Sequence, residues 1–171
     1  MELKFGEYRL RHFRRGDEPS IAANINDRKI ERYTLNIPYP YDLKCAREWV
    51  GFNLKLYRKK QSPQLNLAID LAGEVIGGIG LFSISGHRAE LGYWLGVKHW
   101  GKGIVTAAVR TLTRHALKEL KLLRVYATVL PVNKASARVL QKAGYKYEGR
   151  MVKQHLKRGK PQDALLFAKT R

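Results

Sequence analysis

The run Gly92–Thr106 constrains this chain more than any other feature. A strand-like stretch, Gly92 to Leu95, leads into a loop holding Gly96, Gly101 and Gly103. The loop opens directly into a helical pattern, Ile104–Leu120, with Val105, Ala108, Leu112, Ala116 and Leu120 on one face. Glycines let backbone come close to a ligand and turn successive N–H groups inward. A helix N-terminus adds unpaired donors and a partial positive charge. Together they make an anion site suited to a pyrophosphate. A dinucleotide fingerprint would need glycine where Thr106 stands and an acid near the end of the following strand, and Arg124–Leu130 supplies none. The spacing of a P-loop is also absent. A plain glycine turn between strand and helix is the bland alternative.

The 171 residues suit one domain, 1–171, able to bury a sizeable core. With 44% hydrophobic and 27% charged residues, the composition is that of a folded globular chain rather than a disordered one. No apolar run approaches the roughly 20 residues that span a bilayer, and Met1–Phe5 has no signal-peptide core, so no membrane and a cytoplasmic location are expected. Cys45 is the single cysteine, which excludes an internal disulfide and reads as packing near a helix start. Lysine and arginine number 33 against 14 acids, a net charge of +19. Such a field attracts polyanions, whether the phosphates of a cofactor or RNA at a ribosome. No arginine–glycine tract, RNA-binding aromatic signature or zinc spacing accompanies it. His12, His87, His99 and His115 share no ligand spacing, so no metal is predicted.

Along the chain, Tyr8–Arg11 alternates as a short strand. Asp17 is placed to cap a helix through Ile21, Ala22 and Ile25, and Asp42 to cap a second one with Ala46, Trp49, Val50, Leu54 and Tyr57 on one face. A meander follows: Leu65–Leu71, a turn at Ala72-Gly73, Glu74–Phe82 with Gly77, Gly78 and Gly80, and a turn at Ser85–Arg88 into Ala89–Leu95. After the long helix comes the strand Arg124–Leu130, then a helix capped by Asn133 and stopped at Gly144. Two tail strands, Tyr145–Gln154 and Gln162–Ala168, are joined through Lys157–Lys160. The order βααβββαβαββ is α+β, a central mixed and mostly antiparallel sheet flanked by about four helices.

Lys98, Gly101 and Gly103 align with the Gln/Arg-x-x-Gly-x-Gly/Ala motif of GNAT acetyltransferases, which the loop resembles; lysine in the first position departs from the consensus, but that position acts mostly through its backbone. The flanking Ala89–Leu95 and Ala107, then Asn133, Ser136, Leu140, Gly144, Tyr145, Glu148 and Gly149, and finally Arg150, Gly159 and Asp163 in the tail, are similar to the branch that acetylates ribosomal-protein N-termini, of the RimJ and RimL kind. The resemblance covers about residues 8–168. It implies the GNAT fold, acetyl-CoA as acetyl donor, and direct attack of a primary amine on the thioester.

The resemblance also implies site residues. The backbone N–H groups of Lys98, His99, Trp100, Gly101, Lys102, Gly103, Ile104, Val105 and Thr106 would cradle the pyrophosphate, and the backbone of Leu95, Gly96 and Val97 would pair with the pantetheine arm. Asn133 would hydrogen-bond that arm while capping its helix. Many relatives protonate the leaving thiolate with a tyrosine where Leu140 stands here, which leaves Ser136 or a water for that step. For the base that takes the amine proton, Glu90 in the strand before the loop and His155 in the tail strand are the candidates.

The implied acceptor is a protein N-terminal amine or another primary amine. A small-molecule acetyltransferase and a non-catalytic acyl-CoA-binding or RNA-associated module are the competing readings. Polyamines are disfavoured, because the acids are few and only Asp17, Glu18, Asp27, Glu31 and Asp42 cluster locally. The acceptor groove is expected from the first two helices, the aromatic link of Tyr33, Tyr39 and Tyr41, and the tail hairpin. The sequence leaves the oligomeric state open, a homodimer included.

Overall fold

The computed structural model describes residues 1–59 and 62–171. Eight strands form one sheet: β1 Glu2–Phe5, β2 Tyr8–Arg11, β3 Leu65–Leu71, β4 Glu74–Ser85, β5 Arg88–Leu95, β6 Arg124–Val129, β7 Lys146–Lys157 and β8 Lys160–Thr170. They lie in the order β1-β2-β3-β4-β5-β6-β8-β7. Short turns join β1 to β2, β3 to β4, β4 to β5 and β7 to β8, and the long helical connection between β2 and β3 returns the chain beside β2, so all these neighbours run antiparallel. The crossover through a helix makes β5 and β6 the parallel pair.

Alternation along the strands feeds two cores, one on each face. Leu67, Ile69, Ile79, Leu81 and Leu91 pack against α4 (Ile104–Lys118) and α5 (Lys134–Lys142). Ala68 and Val75, with Phe13, pack on the opposite face against α1 (Glu18–Ile25), α2 (Arg28–Tyr33) and α3 (Leu43–Leu56). The α+β architecture and the meander agree with the expected order. Asp42 Oδ1 accepts from the Cys45 N–H and Asn133 Oδ1 from the Ser136 N–H, so both caps form as predicted. Gly144 stops α5 with φ 87°.

Four details differ from the sequence reading. β1 adds a strand before the first one expected, and α2 adds a helix, giving five among the described residues. Leu120 lies beyond the end of α4 and is exposed, while Val109 and Leu117 complete the buried stripe. Asp17 precedes α1 but its side chain caps nothing. Its carboxylate takes two hydrogen bonds from Arg11, at 2.8 and 2.9 Å, because a buried guanidinium two turns of chain away is a stronger partner than a helix N–H.

Candidate active site

The sheet comes apart at its middle. β5 and β6 pair only at Arg88↔Arg124, Ala89↔Val125 and Glu90↔Tyr126. Beyond that point β4 holds β5 as far as Leu95, and β8 holds β6 as far as Val129. The two strands diverge, and a cavity of about 610 Å³ opens between them. The Gly96 N–H bonds to the Ile76 carbonyl of β4 at 2.8 Å. By alternation, the backbone groups of Leu91, Tyr93 and Leu95 face the opening, where a ligand can complete the ladder. Gly96 itself therefore offers no free N–H there. The Leu95 carbonyl accepts from Trp100 Nε1 at 2.7 Å, which staples the following loop to the strand end.

On the α1–α3 face, Glu90 Oε1 accepts from Thr128 Oγ1 at 2.8 Å, and Thr128 Oγ1 lies 3.1 Å from His155 Nε2. The two base candidates thus meet through a threonine the sequence reading did not single out. Thr128 has one hydrogen, and a carboxylate can only accept it. Its oxygen must then receive a hydrogen from His155 Nε2, which makes Nδ1 the lone-pair nitrogen of the neutral ring. All three residues line the cavity.

On the α4–α5 face, Tyr93 Oη lies 2.6 Å from Ser136 Oγ and 3.3 Å from the Ser136 carbonyl. Burial pushes the Tyr93 hydroxyl up to about 12, against a smaller lowering by its bond to Ser136, so it stays protonated. Tyr93 was also unmarked in the sequence reading: strand alternation gives its face, but only the folded position of α5 gives its partner. Asn133 Nδ2 donates to the Tyr33 carbonyl at 3.3 Å, leaving one of its two amide hydrogens for another acceptor. Tyr33 also sets its ring 6.5 Å from that of Trp100, so the end of α2 rests on the glycine loop. Lys157 Nζ ties the same end to the tail hairpin through the carbonyls of Glu31, Arg32 and Thr34.

The glycine loop leaves the strand through a short 3-10 turn, Val97–His99. Gly101 and Gly103 take φ of 77° and 75°, and a Cβ on either would meet no protein atom within 4 Å. The space beside them is open and the backbone belongs to glycine. No protein group caps α4 at Gly103, and the N–H groups from Gly101 through Thr106 have no acceptor among the described residues. That row of free donors fits a pyrophosphate. Lys98 Nζ turns aside to Glu74 at 3.1 Å, which leaves its backbone to the loop. Burial, reinforced by Lys98 and Lys102, holds His99 below the usual imidazole range, so the loop gains no third cation from it.

The structure therefore gathers Glu90, Ser136, His155 and Asn133 around one cavity; none of Leu95–Thr106 lines it, and that loop follows directly on Trp94, the last β5 residue in the lining. Tyr33 and Tyr41 line the cavity too, whereas Tyr39 lies outside it, exposed under the Arg28 guanidinium. No group of metal-ligating side chains occurs among the described residues.

A family model described as an acetyltransferase (GNAT) domain matches residues 8–146. An uncharacterised N-acetyltransferase, p20, of Bacillus licheniformis is 29% identical over 93% of this chain and 90% of its own. Among solved structures, Mycobacterium smegmatis RimJ in complex with CoA-disulfide superposes with a TM-score of 0.85 at 26% identity, covering 99% of this chain and 86% of that one. The ribosomal-protein-S5-alanine acetyltransferase of Vibrio fischeri superposes with a TM-score of 0.86 at 24% identity, covering 99% and 96%.

Proposed function

The chain belongs to the GNAT acetyltransferase family and takes its acetyl group from acetyl-CoA; from that premise we propose that it acetylates the α-amine of a protein N-terminus, with ribosomal proteins as the substrate class. The observation that carries the reading is the hydrogen-bond chain Glu90–Thr128–His155, set on one face of the split sheet opposite Tyr93–Ser136 on the other. An amine entering from the α1–α3 face reaches a proton acceptor there. The sulfur of the donor, on the α4–α5 side, reaches hydroxyl donors.

An ammonium must lose its proton before it can attack. His155 Nδ1 receives it, and the resulting cation is balanced through Thr128 by the Glu90 carboxylate. This is the orienting logic of a triad, in which the acid fixes the tautomer and faces the charge that forms. Backbone N–H groups of the β5 edge stabilise the oxygen charge of the attacked carbonyl. Ser136, held by Tyr93, donates to the departing thiolate.

The reading of a ribosomal substrate is supported by the likeness to the Vibrio fischeri enzyme and by the outer helix surface. Arg110, Arg114 and Lys118 on α4 recur at one-turn spacing, as do Lys134, Arg138 and Lys142 on α5. All six are exposed, neither helix contains an acid, and Arg110 reaches the Lys142 carbonyl, joining the two stripes. Such a face is suited to RNA phosphates.

Thiol release from acetyl-CoA with N-terminal peptides, followed by mass mapping of the acetyl group, tests the reaction. Acetylation confined to the α-amine supports it, and acetylation confined to a lysine side chain or a non-peptide amine defeats the N-terminal reading. His155→Gln and Glu90→Gln test the chain: removing the base costs about 10²–10⁴-fold in kcat/KM and flattens the acidic limb of the pH profile. Losses below about tenfold in both, with the limb intact, would return the proton to solvent.

A further inference from the structure

We infer that the acceptor carries an aromatic or large aliphatic group close to its reacting amine, an inference that rests on the N-terminal reading above and narrows it to bulky apolar first residues. The unexplained part of the sequence is the glycine run of β4, Gly77, Gly78 and Gly80, facing Gly92 of β5. A Cβ on Gly78 would fall 2.5 Å from Trp94 Nε1. On Gly80 it would fall 2.7 Å from Asn66 Oδ1, 2.9 Å from the Leu65 carbonyl and 3.1 Å from the Phe82 ring, and on Gly92 3.0 Å from the same ring. The glycines let these two aromatic side chains lie down on the sheet, Phe82 in register with Glu90 and Trp94 on the same face four residues further along β5.

They form the floor of the cavity on the side from which the amine arrives. Its walls are apolar as well: Phe13 and Trp49 meet edge to face at 5.8 Å, and Tyr41, Leu35 and Ile37 continue the lining. Phe82, Trp94, Trp49, Leu35 and Ile37 are only partly buried and line the cavity, while Ile37, Trp49 and Trp94 also pack against the core beneath α1–α3. Flat aromatic surface next to the reacting centre takes up apolar groups.

The scarcity of acids disfavours the polycationic alternatives. Among the described residues Glu90 is the one acid lining the cavity, and Thr128 already holds one of its oxygens. The acids of the N-terminal cluster are all engaged elsewhere. Asp17 binds Arg11, Asp27 and Asp42 cap helices, Glu31 pairs with Lys157 and Arg158, and Glu18 accepts from the Gly16 N–H. A polyamine or aminoglycoside would bring several ammonium groups against aromatic rings and one carboxylate.

The experiment uses the full chain, acetyl-CoA, and peptides of one sequence that differ only in the first residue (Phe, Leu, Ala, Ser or Lys), with tyramine, spermine and kanamycin alongside. Phe- and Leu-initiated peptides should exceed Ala and Ser by about ten- to a hundredfold in kcat/KM, the range that hydrophobic pockets achieve. Phe82→Ala should shrink that ratio about tenfold; a ratio measured within one variant separates lost selectivity from general misfolding, which would lower the rates with all the peptides alike. Preference for Ala or Ser would overturn the inference and leave the N-terminal reading standing. Tyramine turning over while no peptide does would uphold the apolar acceptor and sink the N-terminal reading. Preference for spermine or kanamycin, or turnover of none of the panel, would overturn both.

Discussion

A hydroxyl carries one hydrogen, and in the split of this sheet that count decides what each residue can do. Thr128 gives its hydrogen to Glu90 and so obliges His155 to donate from Nε2. Thr128→Val should therefore lower kcat more than it raises the acetyl-CoA dissociation constant, because the imidazole loses the partner that fixes its tautomer. Equal kcat in the valine variant, measured by thiol release at saturating acetyl-CoA, would remove the chain from the mechanism. Tyr93 and Ser136 share two hydrogens; with the Tyr93 hydrogen on Ser136 Oγ at 2.6 Å, rather than on the Ser136 carbonyl at 3.3 Å, the serine hydrogen is left free. With Tyr93 pushed up to about 12 by burial, proton transfer from it to a thiolate would run uphill, so it acts as a hydrogen-bond donor that leaves the serine hydrogen for the sulfur. Ser136→Ala should cost on the order of 10²-fold in kcat, as losing a donor to a developing anion does elsewhere. Calorimetric affinity for acetyl-CoA should stay nearly unchanged, since the charge appears only as the bond breaks. Tyr93→Phe combined with Ser136→Ala should cost little more than Ser136→Ala alone; full additivity would show that the two hydroxyls act separately.

At the scale of elements, the start of α4 carries the clearest consequence. Gly103 sits at φ 75° with open space where a side chain would go. Gly103→Val should cost about 1–2 kcal/mol of stability from left-handed backbone strain alone. It should also abolish calorimetric binding of acetyl-CoA, because a branched side chain enters the space of the pyrophosphate; unchanged affinity would move the phosphates elsewhere. This loop, the α5 cap at Asn133 and the stop at Gly144 were legible in the sequence because each is a local event, a few residues whose own backbone preferences decide the outcome. α2 was not legible. It has six residues and one buried apolar side chain, Ile30, too few to show a helical period, and its C-terminal carbonyls are held by Lys157 from the far end of the chain. β1 escaped for the same reason: four residues, with Leu3 and Phe5 only half-buried, pair across Gly6-Glu7 with a strand that already read as complete.

For the molecule as a whole, a buried ion cluster ties the first strands to α1 and the meander. Arg11 bridges Asp17 and Asp70, and Arg9 adds a bond to Asp70 at 2.7 Å, with Asp70 fully buried. Burial pushes the Asp70 carboxyl up, but the hydrogen bonds from Arg9 and Arg11 outweigh this and hold it below the usual carboxylate range. A depressed carboxylate contributes stability above its unfolded pKa of about 3.9 and loses it as pH falls through the folded value. Arg11→Met, which takes the shared guanidinium from two buried carboxylates, should cost up to about 3–5 kcal/mol near neutrality. The gap in melting temperature between variant and parent should narrow as pH drops into that acidic range; a gap independent of pH would mean that Arg11 matters through packing alone. The sequence by itself determined the α+β order, the glycine loop that opens α4 and the scarcity of acids, and it raised the expectation that Glu90, His155, Ser136 and Asn133 share one site, since these follow from local pattern, family motif and composition. Only the tertiary structure decided that Thr128 joins Glu90 to His155, that Tyr93 supplies a hydroxyl to the helix whose Leu140 cannot, that Asp17 serves Arg11 instead of a helix, and that β4's glycines floor a groove with Phe82 and Trp94. Each is a contact between residues distant along the chain, fixed by strand register and by where β5 and β6 part, and one-dimensional spacing carries no record of either.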